Sequence, residues 1–283
     1  MSDKRMSEAE VVGKLTSGMT IGIGGWGSRR KPMSLVREIL RSPLRDLTVV
    51  SYGGPDLGLL CAAGKVRRAI YAFASLDSIA LEPHFRVARE AGQILDEPYD
   101  EGLLMLGLQA AAWNLPFLPS QVGLGSDLVT LNPRLATVRS PFGAEELVAV
   151  PAIELDAALC HLHRADERGN AIFLGPDLFF DDLILHAARG HRYISVEKIV
   201  PTKALLKEAG TELRLRVSRL MVDGVVERPG AAHFTECPPD YARDEDFQRA
   251  YARSAASPEA TAAFFAEWVH IPEGEYQTKV TNR

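Results

Sequence analysis

The stretch Gly22-Ile23-Gly24-Gly25-Trp26-Gly27-Ser28-Arg29-Arg30-Lys31-Pro32 follows the apolar run Met19-Thr20-Ile21 and fits the spacing G-x-G-x-x-G through Gly22, Gly24 and Gly27. At a strand end, glycines take φ > 0 and bring backbone N–H groups close to a ligand. A dinucleotide fingerprint is the obvious reading, and three features oppose it. In that motif the helix opens at the third glycine and its N-terminus meets the pyrophosphate; here Ser28-Arg29-Arg30-Lys31 separate Gly27 from Pro32, where a helix can begin. The acid expected at the end of the second strand, for the ribose hydroxyls, is replaced by Ser51-Tyr52-Gly53-Gly54, and Asp56 lies beyond Pro55. Trp26 crowds the loop. Two readings are left: a cradle whose N–H groups around Gly24, Gly25, Trp26 and Gly27 hold an oxyanion, or a tight turn without a ligand. Gly53 and Gly54 close a second strand in the same way. Ligands of open α/β sheets sit at the carboxyl ends of strands, which favours the cradle.

Other reactive types are sparser. Asp100 stands where an N-cap belongs, and Glu101 stands in the first helical turn after it, where the helix dipole favours an acid. His161 and His163 alternate on a strand and share a face, with Asp166 nearby, but a third metal ligand at a convincing spacing is missing. There is no G-x-S-x-G elbow for a serine hydrolase.

The elements that must position these residues alternate. "GMTIGIGG", "DLTVVSYGG" and "RRAIYAFAS" read as strands; "KPMSLVREIL", with Pro32 in its first turn, and "GLLCAAGKV" read as helices between them. This order predicts parallel pairing with right-handed crossovers. "EGLLMLGLQAAAWNL" is helical, "PFLPSQVGLGSD" is an irregular excursion, and "ELVAVPAI", "DAALCHLH" and "RYISVEKIV" read as further buried strands. "DLILHAAR" reads as a helix, and "RLMVDGVVERPG" as a late strand. From about Asp240 the chain is helical, and Phe264, Phe265 and Trp268 form an apolar stripe whose expected role is core packing. The expectation is one α/β domain over 1–283, an open and mainly parallel sheet flanked by helices, with a helical C-terminal extension.

Composition narrows the classes. The chain is 46% hydrophobic and 24% charged, with a formal net charge of −5. No basic field is present for nucleic acid, and no apolar run approaches the ~20 residues of a membrane span. The charged start MSDKRMSEAE has no apolar leader core, and Cys61, Cys160 and Cys237 are too scattered for a C-x-x-C. A cytoplasmic location with buried, reduced cysteines is expected.

Taken together, "GMTIGIGGWG", "DLTVVSYGG…GLL…GKVRR", "ADERGN" and "VDGVVE" resemble, in order and spacing, the α subunit of family I coenzyme A transferases, over most of residues 10 to 228. Trp26 takes the aromatic place of that family's GxGGFG segment, and Asp166, Gly169 and Asn170 match its D-x-x-G-N turn. One segment departs: in residues 97–116, "EPYDEGLLMLGLQAAAWNLP", the usual Pro-Gln has become Asp100-Glu101, Glu-Arg has become Leu106-Gly107, and R-A-G-G has become Gln109-Ala110-Ala111-Ala112. With "GWGSRRKPM", "SYGGPDLGLLC" and "VDGVVERPGAAHFT", this altered pattern resembles the branch of steroid ring-cleaving coenzyme A hydrolases. The resemblance implies a heteromeric α2β2 enzyme active only with its β partner and an acyl-CoA substrate; no separate cofactor and, from the missing ligand spacing, no metal is expected. It also implies hydrolytic C–C cleavage, with Glu101 at the position of the working acid.

That reaction is a retro-Claisen step. It needs a base for water and donors for an enolate oxygen. Burial or a neighbouring acid, Asp100 or Glu97, would raise Glu101 toward the working pH. The amides of Gly24 to Gly27, beside Ser28, Gly53 and Gly54, are the expected donors. Arg29 and Arg30 are the groups that could grip a substrate carboxylate. A true coenzyme A transferase subunit and a non-catalytic scaffold for an active β chain are the alternatives.

Overall fold

A computed structural model describes residues 3–282; Met1, Ser2 and Arg283 lie outside the described residues. In chain order the strands are β1 Thr20–Trp26, β2 Leu47–Gly53, β3 Val66–Ala74, β4 Leu95–Pro98, β5 Phe117–Ser120, β6 Ala136–Arg139, β7 Glu146–Pro151, β8 Leu155–Ala165, β9 Ala171–Ile172, β10 Ala188–Ile199 and β11 Gly224–Glu227. The helices are α1 Glu8–Val12, α2 Met33–Arg41, α3 Pro55–Ala62, α4 Pro83–Glu90, α5 Glu101–Ala112, α6 Leu128–Leu131, α7 Asp181–Ala187, α8 Thr202–Ala209, α9 Glu245–Ser254, α10 Pro258–Trp268 and α11 Glu273–Thr281.

The main sheet runs β11-β10-β8-β1-β2-β3-β4, with every neighbouring pair in that path parallel and β9 added antiparallel to β8. The near-continuous apolar runs of β1 and β2 explain this. β2 is buried along its whole length, and a strand covered on both faces needs helices above and below. Chain order moves one way from β1 to β4 and the other way from β8 to β11. The carboxyl ends of β1 and β8 therefore border the switch point at which open α/β sheets hold ligands.

A second sheet, β5-β7-β6, is antiparallel. This corrects the reading of "ELVAVPAI" as a strand like the others and of the preceding stretch as an irregular excursion. β7 buries Val148 and Val150 on one face and leaves the alternate residues partly open, the period-2 pattern of a half-covered antiparallel strand. Pro119 is tolerated in β5 because that strand lies at an edge. Helix α4 was not anticipated either; Pro83 opens it and Glu82 caps it by accepting the Phe85 N–H.

The C-terminal helices are part of the core. Phe247, Tyr251, Phe264, Phe265, Trp268 and Tyr276 join the same buried cluster as α2 and α3. Phe247 and Trp268 meet edge to face at 4.9 Å. Arg37 of α2 donates twice to Glu273 of α11, at 2.9 and 2.6 Å, and lies 3.7 Å over the Tyr276 ring. The expected core role of the apolar stripe is what the packing shows. Replacing Trp268 by alanine should lower the unfolding free energy of the isolated chain by about 3–5 kcal/mol, measured by urea denaturation.

Candidate functional site

At the carboxyl end of β1 the chain turns back on itself. Trp26 and Arg29 exchange backbone hydrogen bonds of 3.0 and 2.9 Å, with Gly27 and Ser28 at the tip. Gly25 and Gly27 have φ of +77° and +52°, conformations that favour glycine. Gly54 is needed for close approach: a Cβ there would stand 1.8 Å from the Gly27 carbonyl oxygen. Gly53 lies against the Phe73 carbonyl, and a Cβ on Gly24 would meet the Asp181 carboxylate.

The expected row of bare amides is not what the turn presents. The N–H of Gly25 donates to Asp181 Oδ1 at 2.7 Å, that of Trp26 to the Arg29 carbonyl, that of Gly27 to the Tyr52 carbonyl at 3.0 Å, and that of Ser28 toward Asp77 at 3.4 Å. A buried turn must satisfy its own donors, and these glycines shape the turn rather than bare it. Ser28 is fully buried, and its hydroxyl accepts from Gln248 of α9.

The basic residues divide by burial. Arg30 is 1% exposed, ion-paired with Asp181 at 2.8 Å, bonded to the carbonyls of His161 and Asp177, and set over the Phe179 ring. It is a structural clamp, which corrects its expected role as a carboxylate grip. Lys31 is fully buried between Asp56, Ser51 and the Tyr52 carbonyl. Only Arg29 keeps an exposed face. It lies 3.2 Å from Asp77 and 3.5 Å from Glu236, two acids that Arg243 also approaches. It borders a cavity of about 270 Å³ with Arg30, Asp177, Phe179, Glu236 and Pro238.

Beside the turn stands an aromatic wall. Trp26 stacks on Tyr52 with centroids 5.0 Å apart and planes within 9°, and Phe73, Phe179 and Phe180 surround the pair at 5.2 to 6.3 Å. Trp26 is half-buried among these rings. Tyr52 also reaches the acid: its hydroxyl donates to the Glu101 backbone carbonyl at 3.1 Å. Asp100 caps α5 by accepting the Leu103 N–H at 2.6 Å. Glu101 is exposed at the head of that helix, and no described residue pairs with its carboxylate. Partial burial, and next the charge of Asp100, push it above the ordinary carboxylate range. Glu97 is not a partner in this effect. It is buried against Arg68 at 2.6 Å and Arg134 at 3.7 Å, which neutralise it.

The histidines do other work. His163 accepts from the Leu174 N–H through Nδ1 and donates through Nε2 to the Pro238 carbonyl. Both nitrogens are occupied, although Cys237 and Asp240 lie close enough to suggest a metal cluster. His161 sits between Ser195 and Glu197, 2.9 Å from each. Asp166 holds its turn through Asn170, Arg168 and Thr202. The three cysteines are free and buried.

Acid, wall and clamped turn thus meet at the carboxyl edge of a sheet whose chain order reverses there. Residues 5–244 match the family model described as Coenzyme A transferase. The chain belongs to the coenzyme A transferase family. It is 53% identical to the cholesterol ring-cleaving hydrolase IpdA subunit of Rhodococcus jostii, covering 98% of this chain and 96% of that one. It is 52% identical to the subunit of the same name from Mycobacterium tuberculosis, covering 100% and 98%. The crystal structure of glutaconate coenzyme A-transferase from Acidaminococcus fermentans superposes with a TM-score of 0.90 at 29% identity, covering 98% of this chain and 92% of that one. Both hydrolase relatives are single subunits of their enzymes. No helix among the described residues is long and apolar enough to cross a membrane.

Within this coenzyme A transferase fold, sequence reasoning missed Asp181, Phe73, Phe179 and Phe180. The adjacent phenylalanines in "DLFFDD" have no periodicity to mark them, and both take positive φ, at 54° and 63°. Arg30→Ala should lower stability by about 3–5 kcal/mol by stranding the Asp181 charge, whereas Arg29→Ala should shift it by no more than ~0.5 kcal/mol; chemical denaturation separates the two. Burial, and then the charge of Arg30, push His163 down to about 3 from 6.5. The unfolded chain therefore binds a proton that the folded one refuses, so stability falls as pH drops from 6.5 toward 3. His163→Gln should flatten that limb in urea titrations run across the range.

Proposed function

We propose that this chain is the α subunit of a heteromeric hydrolase that opens a ring of a steroid-derived cyclic keto-acyl-CoA, with Glu101 as general base. The observation that carries the reading is an unpaired carboxylate, raised above its ordinary pKa, at the foot of an open aromatic wall. Near-full-length identity above 50% to two subunits named for cholesterol ring cleavage supports the substrate class. A fused-ring skeleton suits a wall of the partly exposed Trp26, Phe73, Phe179 and Phe180, backed by the buried Tyr52, because flat apolar surface is what such a wall can desolvate.

In the reaction, Glu101 takes a proton from water as the water oxygen bonds to the ring carbonyl carbon. The tetrahedral alkoxide collapses to a carboxylic acid and the adjacent C–C bond breaks. The electron pair of that bond moves onto the carbon α to the thioester and delocalises onto the thioester oxygen as an enolate. Protonation at the α carbon, from the protonated Glu101 or from water, completes the hydrolysis. The Gly25–Ser28 amides are already engaged by Asp181, Arg29, Tyr52 and Asp77, so donors for the enolate come from other groups. Here we assign them to the β partner of an α2β2 assembly. Coenzyme A enters as part of the substrate, and no separate cofactor is needed.

Glu101→Gln in the assembled enzyme should lower ring opening by about 10²- to 10⁴-fold, the range of a lost general base, with no transfer of coenzyme A to labelled acetate or succinate by the unmodified enzyme. Full activity of the variant would make this chain a scaffold, and label transfer would make the enzyme a transferase.

A further inference from the structure

We propose that Tyr52 is a positioning residue for Glu101, fixing where that carboxylate stands relative to a bound ring; the proposal rests on Glu101 being the base. Tyr52 is fully buried near the end of β2 and pairs in register with Trp26 of β1. Its ring is held on several sides: parallel to Trp26 at 5.0 Å, and tilted against Phe180 at 5.2 Å and Phe73 at 6.2 Å. Its backbone carbonyl accepts from both Gly27 N–H and Lys31 Nζ, at 3.0 and 2.8 Å. Backbone and ring are thus locked into the glycine turn and the aromatic wall, and the hydroxyl has one place to go.

That place is the backbone of the acid. The hydroxyl donates to the carbonyl of Glu101, the first residue of α5, at 3.1 Å. First turns of helices lack intrahelical partners for their N–H groups and fray readily. Here Asp100 holds the turn on one side through the Leu103 N–H, and Tyr52 holds it on the other through the Glu101 carbonyl. With its main chain pinned twice, the carboxylate moves only about its own side-chain torsions. Burial, reinforced by the nearby charges of Glu101 and Asp100, pushes the Tyr52 hydroxyl well up from its ordinary range, so it stays protonated and remains a donor. Tyr52 touches both the wall and the acid-bearing helix, and it transmits the position of one to the other.

Tyr52→Phe keeps the stack on Trp26 and deletes only the hydroxyl. In the assembled enzyme it should lower kcat about tenfold, the worth of one hydrogen bond expressed through geometry, while KM stays within about twofold, assembly is unchanged and the urea midpoint falls by no more than the loss of one buried hydrogen bond entails. In a Glu101→Gln background the same change should leave the residual rate untouched, because a residue acting through Glu101 cannot add to its loss. Unchanged kcat in Tyr52→Phe beside an inactive Glu101→Gln would overturn the positioning role and leave the base intact. So would a rate loss that follows loss of assembly, or an additive loss in the double variant. A fully active Glu101→Gln would instead remove the base on which the proposal rests.

Discussion

A single buried carboxylate organises this site. Asp181, at the start of α7, accepts the Gly25 N–H with one oxygen and Arg30 with the other. Arg30 extends the same bond set to the His161 carbonyl of β8 and the Asp177 carbonyl, and lies over Phe179. Three pieces of chain that are distant in sequence are thereby fastened at the switch point of the sheet: the glycine turn after β1, the middle of β8 and the segment carrying Phe179 and Phe180. A buried ion pair is costly to form and costlier to break, since removing one partner strands the other. Phe179 and Phe180 hold positive φ without being glycine, a strain on the order of 1–3 kcal/mol each. Arg30 holds the segment in place through the Asp177 carbonyl and the Phe179 ring, and both phenylalanine rings meet Trp26.

The clamp divides the polar groups into two populations. Arg30, Lys31, Asp56 and Asp181 are buried, mutually paired and given over to shape. Glu101 is at the surface and unpaired, with its pKa raised. Groups kept free of partners beside a rigid wall are the ones available for chemistry. The C-terminal helices support the same arrangement from behind. Gln248 of α9 reaches the Ser28 hydroxyl at the tip of the glycine turn, and Arg37 anchors α11 to α2 through Glu273. The extension therefore braces the turn as well as completing the core.

Much of this was legible in the residues. The parallel sheet follows from apolar runs such as Leu47–Tyr52 alternating with amphipathic stretches, and the N-cap role of Asp100 from its type and place. The small antiparallel sheet was hidden because "ELVAVPAI" is apolar enough to pass for a strand buried on both faces; only the one-sided burial of β7 reveals the difference. The fate of Arg30 was hidden for another reason. An Arg-Arg-Lys run reads as solvated or as substrate-binding, and its burial depends on Asp181, about 150 residues later, which no local pattern connects to it. The same holds for the amides of the turn: glycine spacing shows where the backbone can bend, but which acceptors meet its N–H groups is settled by tertiary structure. Glu101 stood out only through the resemblance, since by type it is an ordinary first-turn acid.

The central claim is that the Glu101 carboxylate and the Trp26–Tyr52 wall converge on one reacting ring. The most direct test is the structure of the assembled enzyme with a non-hydrolysable keto-acyl-CoA analogue. In that structure the ring should lie against the wall with the Glu101 carboxylate within about 3 Å of a water poised at the ring carbonyl, the reach that general-base catalysis requires. A ring bound elsewhere, or a Glu101 carboxylate turned into bulk solvent with a different acid beside the carbonyl, would contradict it.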